Sequence, residues 1–64
     1  MKMKINKIII LDDESGNVYM FDFDNNIYED FSDFVVDINK KYDLNLSESN
    51  CQWMIRETIN IIVN

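Results

Sequence analysis

The stretch IIILDDESGNVYMFDFD, residues 8–24, decides the fold of this chain. Its β-branched and apolar start, Ile8–Leu11, follows Ile5 and predicts a strand. The polar segment Asp12–Asn17 predicts a turn, in which Gly16 is expected to take a positive φ. Val18–Asp24 predicts a second strand, so the two strands form a β-hairpin.

The second strand has a clear alternation of side chains. Because neighbouring residues of a strand point to opposite faces, Tyr19, Phe21 and Phe23 are expected to share one face. Val18, Met20 and Asp22 then lie on the other face.

The residues after the hairpin predict an amphipathic helix. Asn25-Asn26 offers an N-cap, and Glu29 stands where its carboxylate could reach back to the amide of Asn26. Apolar residues recur at spacings of three and four: Ile27, Phe31, Phe34, Val35, Ile38 and Tyr42. This stripe predicts a helix of about four turns, and Lys40-Lys41 suits its C-terminal end.

The last third of the chain is more ambiguous. Asp43–Asn50 is polar and turn-like, with a short helical turn starting at Ser47 or Ser49. Beyond it, one set of apolar residues fits a helix and another fits a strand. We favour a helical turn at Cys51–Met54 and then a strand from about Arg56 to Val63, because Thr and β-branched residues favour strands.

These elements predict an α+β fold made of one small domain, residues 1–64. The order is ββαβ, with a three-stranded antiparallel sheet and one long amphipathic helix packed on one face. The crossover through the helix places the last strand beside the first, so the first strand is expected to be central.

One helix can cover only one face of such a sheet. We expect the helix to meet Ile9, Leu11, Phe21, Ile59 and Ile61. The opposite face then contains Ile8, Ile10, Val18, Met20 and Ile62, which is too apolar to remain in water. Either loops and the segment around Trp53 cover it, or it is an oligomer interface formed by Ile8, Ile10, Val18 and Met20.

Composition limits the location and the partners. The chain has 64 residues, a net charge of −6 and no run apolar enough for a signal peptide or a membrane span. Its acidity argues against direct binding to nucleic acid or to an anionic membrane. A single cysteine, Cys51, excludes an internal disulfide and fits a reducing compartment, so we expect a cytoplasmic protein.

The charges are strongly segregated. Between Ile8 and Asn39 there are nine carboxylates and no Lys or Arg. This block is either a solvated face that keeps the protein soluble or a docking surface for a basic protein. The residues expected to bind the partner are Asp13, Glu14, Glu29, Asp30, Asp33 and Asp37.

In size and charge the chain resembles small acidic proteins of phages and mobile elements that inhibit nucleases, glycosylases or CRISPR effectors. Carboxylates spaced like backbone phosphates would let such an inhibitor mimic nucleic acid and occupy a basic groove. We therefore expect a non-catalytic protein–protein interaction module. The alternative is a structural or regulatory homo-oligomer that uses the spare sheet face.

Enzymatic chemistry has weak support. The segment from Met20 to Asn26 resembles the first motif of the haloacid dehalogenase phosphatases, which implies Asp22 as nucleophile and Asp24 as proton shuttle. Asn26 departs from that motif, and a chain of this length lacks room for the rest of the site. Without any His, we predict no enzyme, no cofactor and no metal site.

Overall fold

The computed structural model of the protein describes residues 5–63. Its elements are β1 (Asn6–Asp12), β2 (Val18–Phe23), helix α1 (Phe31–Tyr42), one 3₁₀ turn (Glu48–Asn50) and β3 (Cys51–Arg56). The three strands form an antiparallel sheet in the order β2-β1-β3. The predicted ββαβ fold, with the first strand in the centre, is confirmed.

The hairpin turn is organised by Asp12 at the end of β1. Its carboxylate accepts hydrogen bonds from the Glu14 amide at 3.1 Å and the Ser15 hydroxyl at 2.6 Å. Its carbonyl accepts from the amide of Gly16 at 2.8 Å, and Gly16 has the predicted positive φ, 79°. A side chain that bonds to the backbone two residues ahead is what makes aspartate a good turn residue.

The helix begins later than predicted. The Asp24 carboxylate accepts from the amide of Asn26 at 2.9 Å, so the residues proposed as the helix cap form a separate turn. The cap is Asp30, whose side chain accepts from the amide of Asp33 at 3.1 Å. The helix therefore has 12 residues, and Ile27 lies outside it with 69% of its surface exposed.

The helix buries Phe31, Phe34, Val35 and Ile38 against the sheet. At its start, the Phe31 ring stacks on Trp53 of β3 with 3.8 Å between ring centroids. At its end, Tyr42 stacks on Phe21 of β2 at 5.4 Å. The helix therefore crosses the sheet from one edge strand to the other.

The polar segment 43–50 is fastened by Asn39 near the end of the helix. The Asn39 side-chain amide donates to the Leu46 carbonyl and accepts from the Leu46 amide, both at 3.0 Å. These bonds place the Leu46 side chain in the core, where it is 6% exposed. The predicted turn-like segment with a short helical turn is confirmed.

The third strand was predicted in the wrong place. It spans Cys51–Arg56, and Cys51 pairs with Asp12 while Arg56 pairs with Lys7. The segment after the helix returns the chain to the end of β1, so the residues that follow it directly, Cys51–Arg56, pair with β1. The β-prone residues after Arg56 lie beyond this pairing, and Ile61, Ile62 and Val63 are 61%, 81% and 87% exposed.

The predicted faces of β1 are also wrong, by one residue. Ile8 pairs with Phe21 and Ile10 pairs with Tyr19, and opposed residues share a face. Ile8 and Ile10 are therefore under the helix, where both are 0% exposed, whereas Leu11 is 40% exposed on the open face. The predicted faces of β2 are confirmed. Ile59, Ile61 and Ile62, expected on the sheet, lie beyond its last strand.

Adjacent residues of β1 should respond very differently to truncation. Ile10→Ala should lower the free energy of unfolding by about 2–5 kcal/mol, because it leaves a cavity in the core. Leu11→Ala on the open face should cost about 1 kcal/mol or less. Urea denaturation measures both, and Ile10→Val, at about 1 kcal/mol, replaces Ile10→Ala if that variant does not fold. Equal losses at the two positions would contradict the assigned faces.

Candidate acidic docking surface

Two carboxylates lie on the outer surface of helix α1. Asp33 and Asp37 are one helical turn apart and both are exposed. Residues at this spacing are about 5–6 Å apart between their β-carbons and lie on the same side of a helix. Together they form a local negative surface, which we call the helix acids.

The other two predicted docking residues of this region, Glu29 and Asp30, precede the helix. The predicted row of Glu29, Asp33 and Asp37 along one helix is therefore reduced to its last two members. Asp30 uses its carboxylate as the N-cap, where a negative charge favours the positive end of the helix dipole. Glu29 is exposed just before this cap.

Asp13 and Glu14 lie in the exposed hairpin turn. The Asp13 amide donates to the Asn50 carbonyl at 3.0 Å, and the Glu14 carboxylate accepts from the Asn50 side chain at 3.2 Å. These bonds attach the turn to the segment before β3. The six predicted docking residues thus fall into a hairpin group, Asp13 and Glu14, and a helix group, Glu29, Asp30, Asp33 and Asp37.

Basic groups are fewer than carboxylates, and on the helix Lys40 and Lys41 follow Asp37 by three and four residues. The described part of the chain holds all twelve Asp and Glu but four of the six Lys and Arg. Lys7 pairs with Asp22 across β1 and β2, and Lys41 lies over the Tyr42 ring, with Nζ 5.6 Å from its centroid. Within residues 5–63, the side chains of Asp13, Glu29 and Asp33 pair with no Lys or Arg.

An aromatic cleft borders the helix acids. It has a volume of about 240 Å³, lies between helix α1 and β2, and is lined by Phe21, Asp22, Tyr28, Phe34, Asp37, Ile38, Lys41 and Tyr42. Aromatic faces beside carboxylates suit an ammonium or guanidinium group, because both attract positive charge. Asp37 therefore belongs both to the helix acids and to this cleft.

Tyr28 was missed as a site residue by sequence reasoning. Its hydroxyl donates a hydrogen bond to the Asp37 carboxylate, and that bond, followed by burial, raises the pKa of Tyr28 above its usual value. The two residues are nine positions apart in sequence, and the turn at residues 24–27 that brings them together lies where the sequence predicts a strand end, a helix cap and the first helical residue. The Asp24–Asn26 pair was the available signal, since Asp often starts such turns.

The residues considered for catalysis have structural partners. Asp22 pairs with Lys7, and Asp24 accepts hydrogen bonds from Asn26 in the turn after β2. Cys51 is buried, and that burial, with the nearby Asp12 charge second, raises the pKa of its thiol. Within residues 5–63, no three His, Cys, Asp or Glu side chains are grouped so that they could hold a metal ion.

The open face of the sheet is a second exposed surface. Met20, Ile9 and Met54 form one row across the three strands, and Leu11 pairs with Val18 in the next row. Met20 and Val18, two of the predicted interface residues, lie here and are 42% and 59% exposed. The other two, Ile8 and Ile10, are in the core, so they cannot form this surface.

Comparison with known proteins adds no family to this picture: no protein-family model, curated protein or solved structure matches the chain. No helix within residues 5–63 has the length and apolarity needed to cross a membrane.

The Tyr28–Asp37 hydrogen bond should be visible at alkaline pH. Because the folded protein holds the pKa of Tyr28 above its unfolded value, the contribution to stability is complete below about pH 10. It is lost as the pH rises through the folded pKa. In Tyr28→Phe the free energy of unfolding, measured by urea denaturation, should fall less steeply above pH 10 than in the wild type. Tyr19→Phe is the matched control. An alkaline loss that is unchanged in Tyr28→Phe would contradict the bond.

Proposed function

We propose that this protein is a non-catalytic interaction module whose helix acids dock on a basic surface of another protein. The observation that carries the proposal is the exposed pair Asp33 and Asp37, one turn apart, with Asp37 at the edge of an aromatic cleft. A Lys or Arg side chain of the partner would face Asp37 at the edge of the cleft, which this chain's Lys41 also lines, and further basic groups would face Asp33 and Glu29. The hairpin acids Asp13 and Glu14 extend the negative surface on a second part of the molecule.

The partner class follows from the charge. A groove that binds nucleic acid is an extended basic surface that receives regularly spaced anions. A compact chain with a net charge of −6 can compete for such a groove. The proposed role is thus an inhibitor that mimics nucleic acid, acting in the cytoplasm.

Charge reversal on the helix should test this role. The double variant Asp33→Lys/Asp37→Lys should slow association with the partner by about tenfold or more at low ionic strength. The effect should shrink as salt is added. The control Asp43→Lys/Glu57→Lys changes the net charge equally, and neither residue belongs to the helix acids or lines the aromatic cleft.

The measurement has two stages. The wild-type chain is used to capture partners from a lysate of its host. The rate of association with each purified partner is then measured for the wild type and for both double variants. Displacement of labelled duplex DNA from that protein, followed by fluorescence anisotropy, tests the mimicry. If both double variants associate equally fast, net charge alone explains the binding, and the assignment of Asp33 and Asp37 is refuted. A ternary complex with DNA would refute the mimicry.

A second candidate function is self-association through the open sheet face. The observation that favours it is the apolar row Met20–Ile9–Met54, of which both methionines are about two-fifths exposed. Apolar patches left open on a sheet are typical of interaction surfaces.

Met20→Glu should separate this candidate from the first. It places a charge in the centre of the open face and should dissociate an assembly formed there, as measured by sedimentation equilibrium. Val36→Glu is the control, because Val36 is also apolar and 57% exposed but lies on the helix. A sedimentation profile in which Met20→Glu and Val36→Glu behave alike would rule out the face as the contact.

A further inference from the structure

The segment after β3 has no partner strand among the described residues. Residues 58–63, of sequence TINIIV, have no regular secondary structure, and their last three side chains are among the most exposed apolar groups of the chain. The segment contains no Pro, Gly or charged residue. Such a composition favours strand pairing strongly.

The strand that leads into this segment is itself at an edge. In the order β2-β1-β3, β3 pairs with β1 on one side and with no strand of residues 5–63 on the other. An edge strand presents unpaired amides and carbonyls that can accept a further strand. The Ile55 carbonyl of β3 accepts from Arg56 Nη1 at 2.7 Å, a bond that a neighbouring strand's amide would replace.

The segment cannot easily fold back on its own strand. A tight hairpin at Glu57-Thr58 would need residues with positive φ, and in the described chain positive φ occurs at Gly16 and Asp43. Glu and the β-branched Thr disfavour that conformation. Within residues 5–63 the segment forms no strand with its own β3, while a second molecule has the same edge available.

We propose that residues 58–63 pair antiparallel with the outer edge of β3 in a second copy of this chain, around a two-fold axis at Thr58. The segment of each copy pairs with the β3 edge of the other copy, so the two-fold interface is closed and no further copy can add to it. The opposed pairs are Thr58 with Thr58, Glu57 with Ile59, Arg56 with Asn60, Ile55 with Ile61, Met54 with Ile62, and Trp53 with Val63. In this register residues 60–63 lie opposite residues 53–56, which are four of the six residues of β3.

Three considerations select this register. A two-fold axis normal to the sheet keeps each face on one side, so odd residues meet odd residues and even residues meet even ones. An axis one residue earlier would place Glu57 opposite Glu57, and directly opposed like charges are destabilising. An axis at Ile59 would place Arg56 opposite Ile62 and Glu57 opposite Ile61, so two charged residues would face apolar ones, whereas the axis at Thr58 does this only for Glu57 and Ile59. The axis at Thr58 gives a Thr–Thr pair and three apolar pairs, which are favourable cross-strand contacts.

This dimer is independent of the docking function. It does not use the helix acids, and of the row Met20–Ile9–Met54 it uses only Met54, so it can fail while the proposed docking function holds, and the reverse. It would also join two sheets edge to edge and leave both acidic helices exposed.

The first experiment is sedimentation equilibrium of the full chain at about 100 μM or more. We expect the wild type to sediment at twice the 7.7 kDa of one chain. Asn60→Pro/Ile61→Pro should sediment as a monomer, because one of two adjacent amides must face the partner strand and proline has none. The control Asn60→Thr/Ile61→Val keeps both amides and should remain a dimer.

Two outcomes would overturn the proposal in this experiment. A monomeric wild type would exclude the dimer, and a proline variant as dimeric as the wild type would exclude the segment from the contact. Dissociation by Met20→Glu together with a dimeric proline variant would assign the contact to the sheet face instead.

The second experiment tests the register. In a Cys51→Ser background, Thr58→Cys should form a disulfide-linked dimer under mild oxidation, since residues opposed at the axis lie about 4.5–5.5 Å apart between α-carbons. Asn60→Cys should link much more slowly, because each such residue faces Arg56. Faster linkage through position 60 than through position 58 would overturn the pairing.

Discussion

The burial of Ile8 and Ile10 beneath helix α1 is the interaction on which the rest of the structure depends. Both side chains are fully buried in the central strand, and each pairs on both sides with residues of the helix-covered face. Once this face is chosen, alternation places Ile9, Leu11 and Met20 on the other one. A helix of 12 residues, about 18 Å long, cannot cover that second face as well. The open apolar surface is a direct consequence of a domain with one helix.

The carboxylates divide into those that build the fold and those that face solvent. Asp12 holds the hairpin turn, Asp24 holds the turn after β2, and Asp30 caps the helix. These three reduce the acidic surface that composition alone suggests, because their oxygen atoms are occupied by the protein's own donors. What remains for a partner is concentrated on the helix and at the hairpin tip. This is why the helix acids, and not the whole acidic block, carry the proposed function.

The sequence predicted well where local rules decide the structure. The alternation of β2, the positive φ of Gly16 and the apolar stripe from Phe31 to Ile38 follow from side-chain periodicity and turn chemistry. The failures occur where pairing over long distances decides. Ile8–Leu11 is uniformly apolar, so its pattern cannot reveal which parity faces the helix. The third strand is formed by Cys51–Arg56, the first residues that reach the end of β1, although the residues after them have the stronger strand propensity. The Tyr28–Asp37 contact depends on a turn that resembles a helix start.

Electrostatics separates the two kinds of association available to this chain. Docking on a basic partner is favoured by opposite charges, so added salt weakens it. Pairing of two identical chains, each with a net charge of −6, is opposed by like charges, so added salt strengthens it.

A 64-residue domain buries about 60% of its unfolded surface and has little stability to spare. Covering apolar side chains such as Ile62 and Met54 would add to that stability, whereas neutralising Asp33 and Asp37 would relieve repulsion within the helix. The same small fold therefore gains from both contacts, by different physical terms and through different residues.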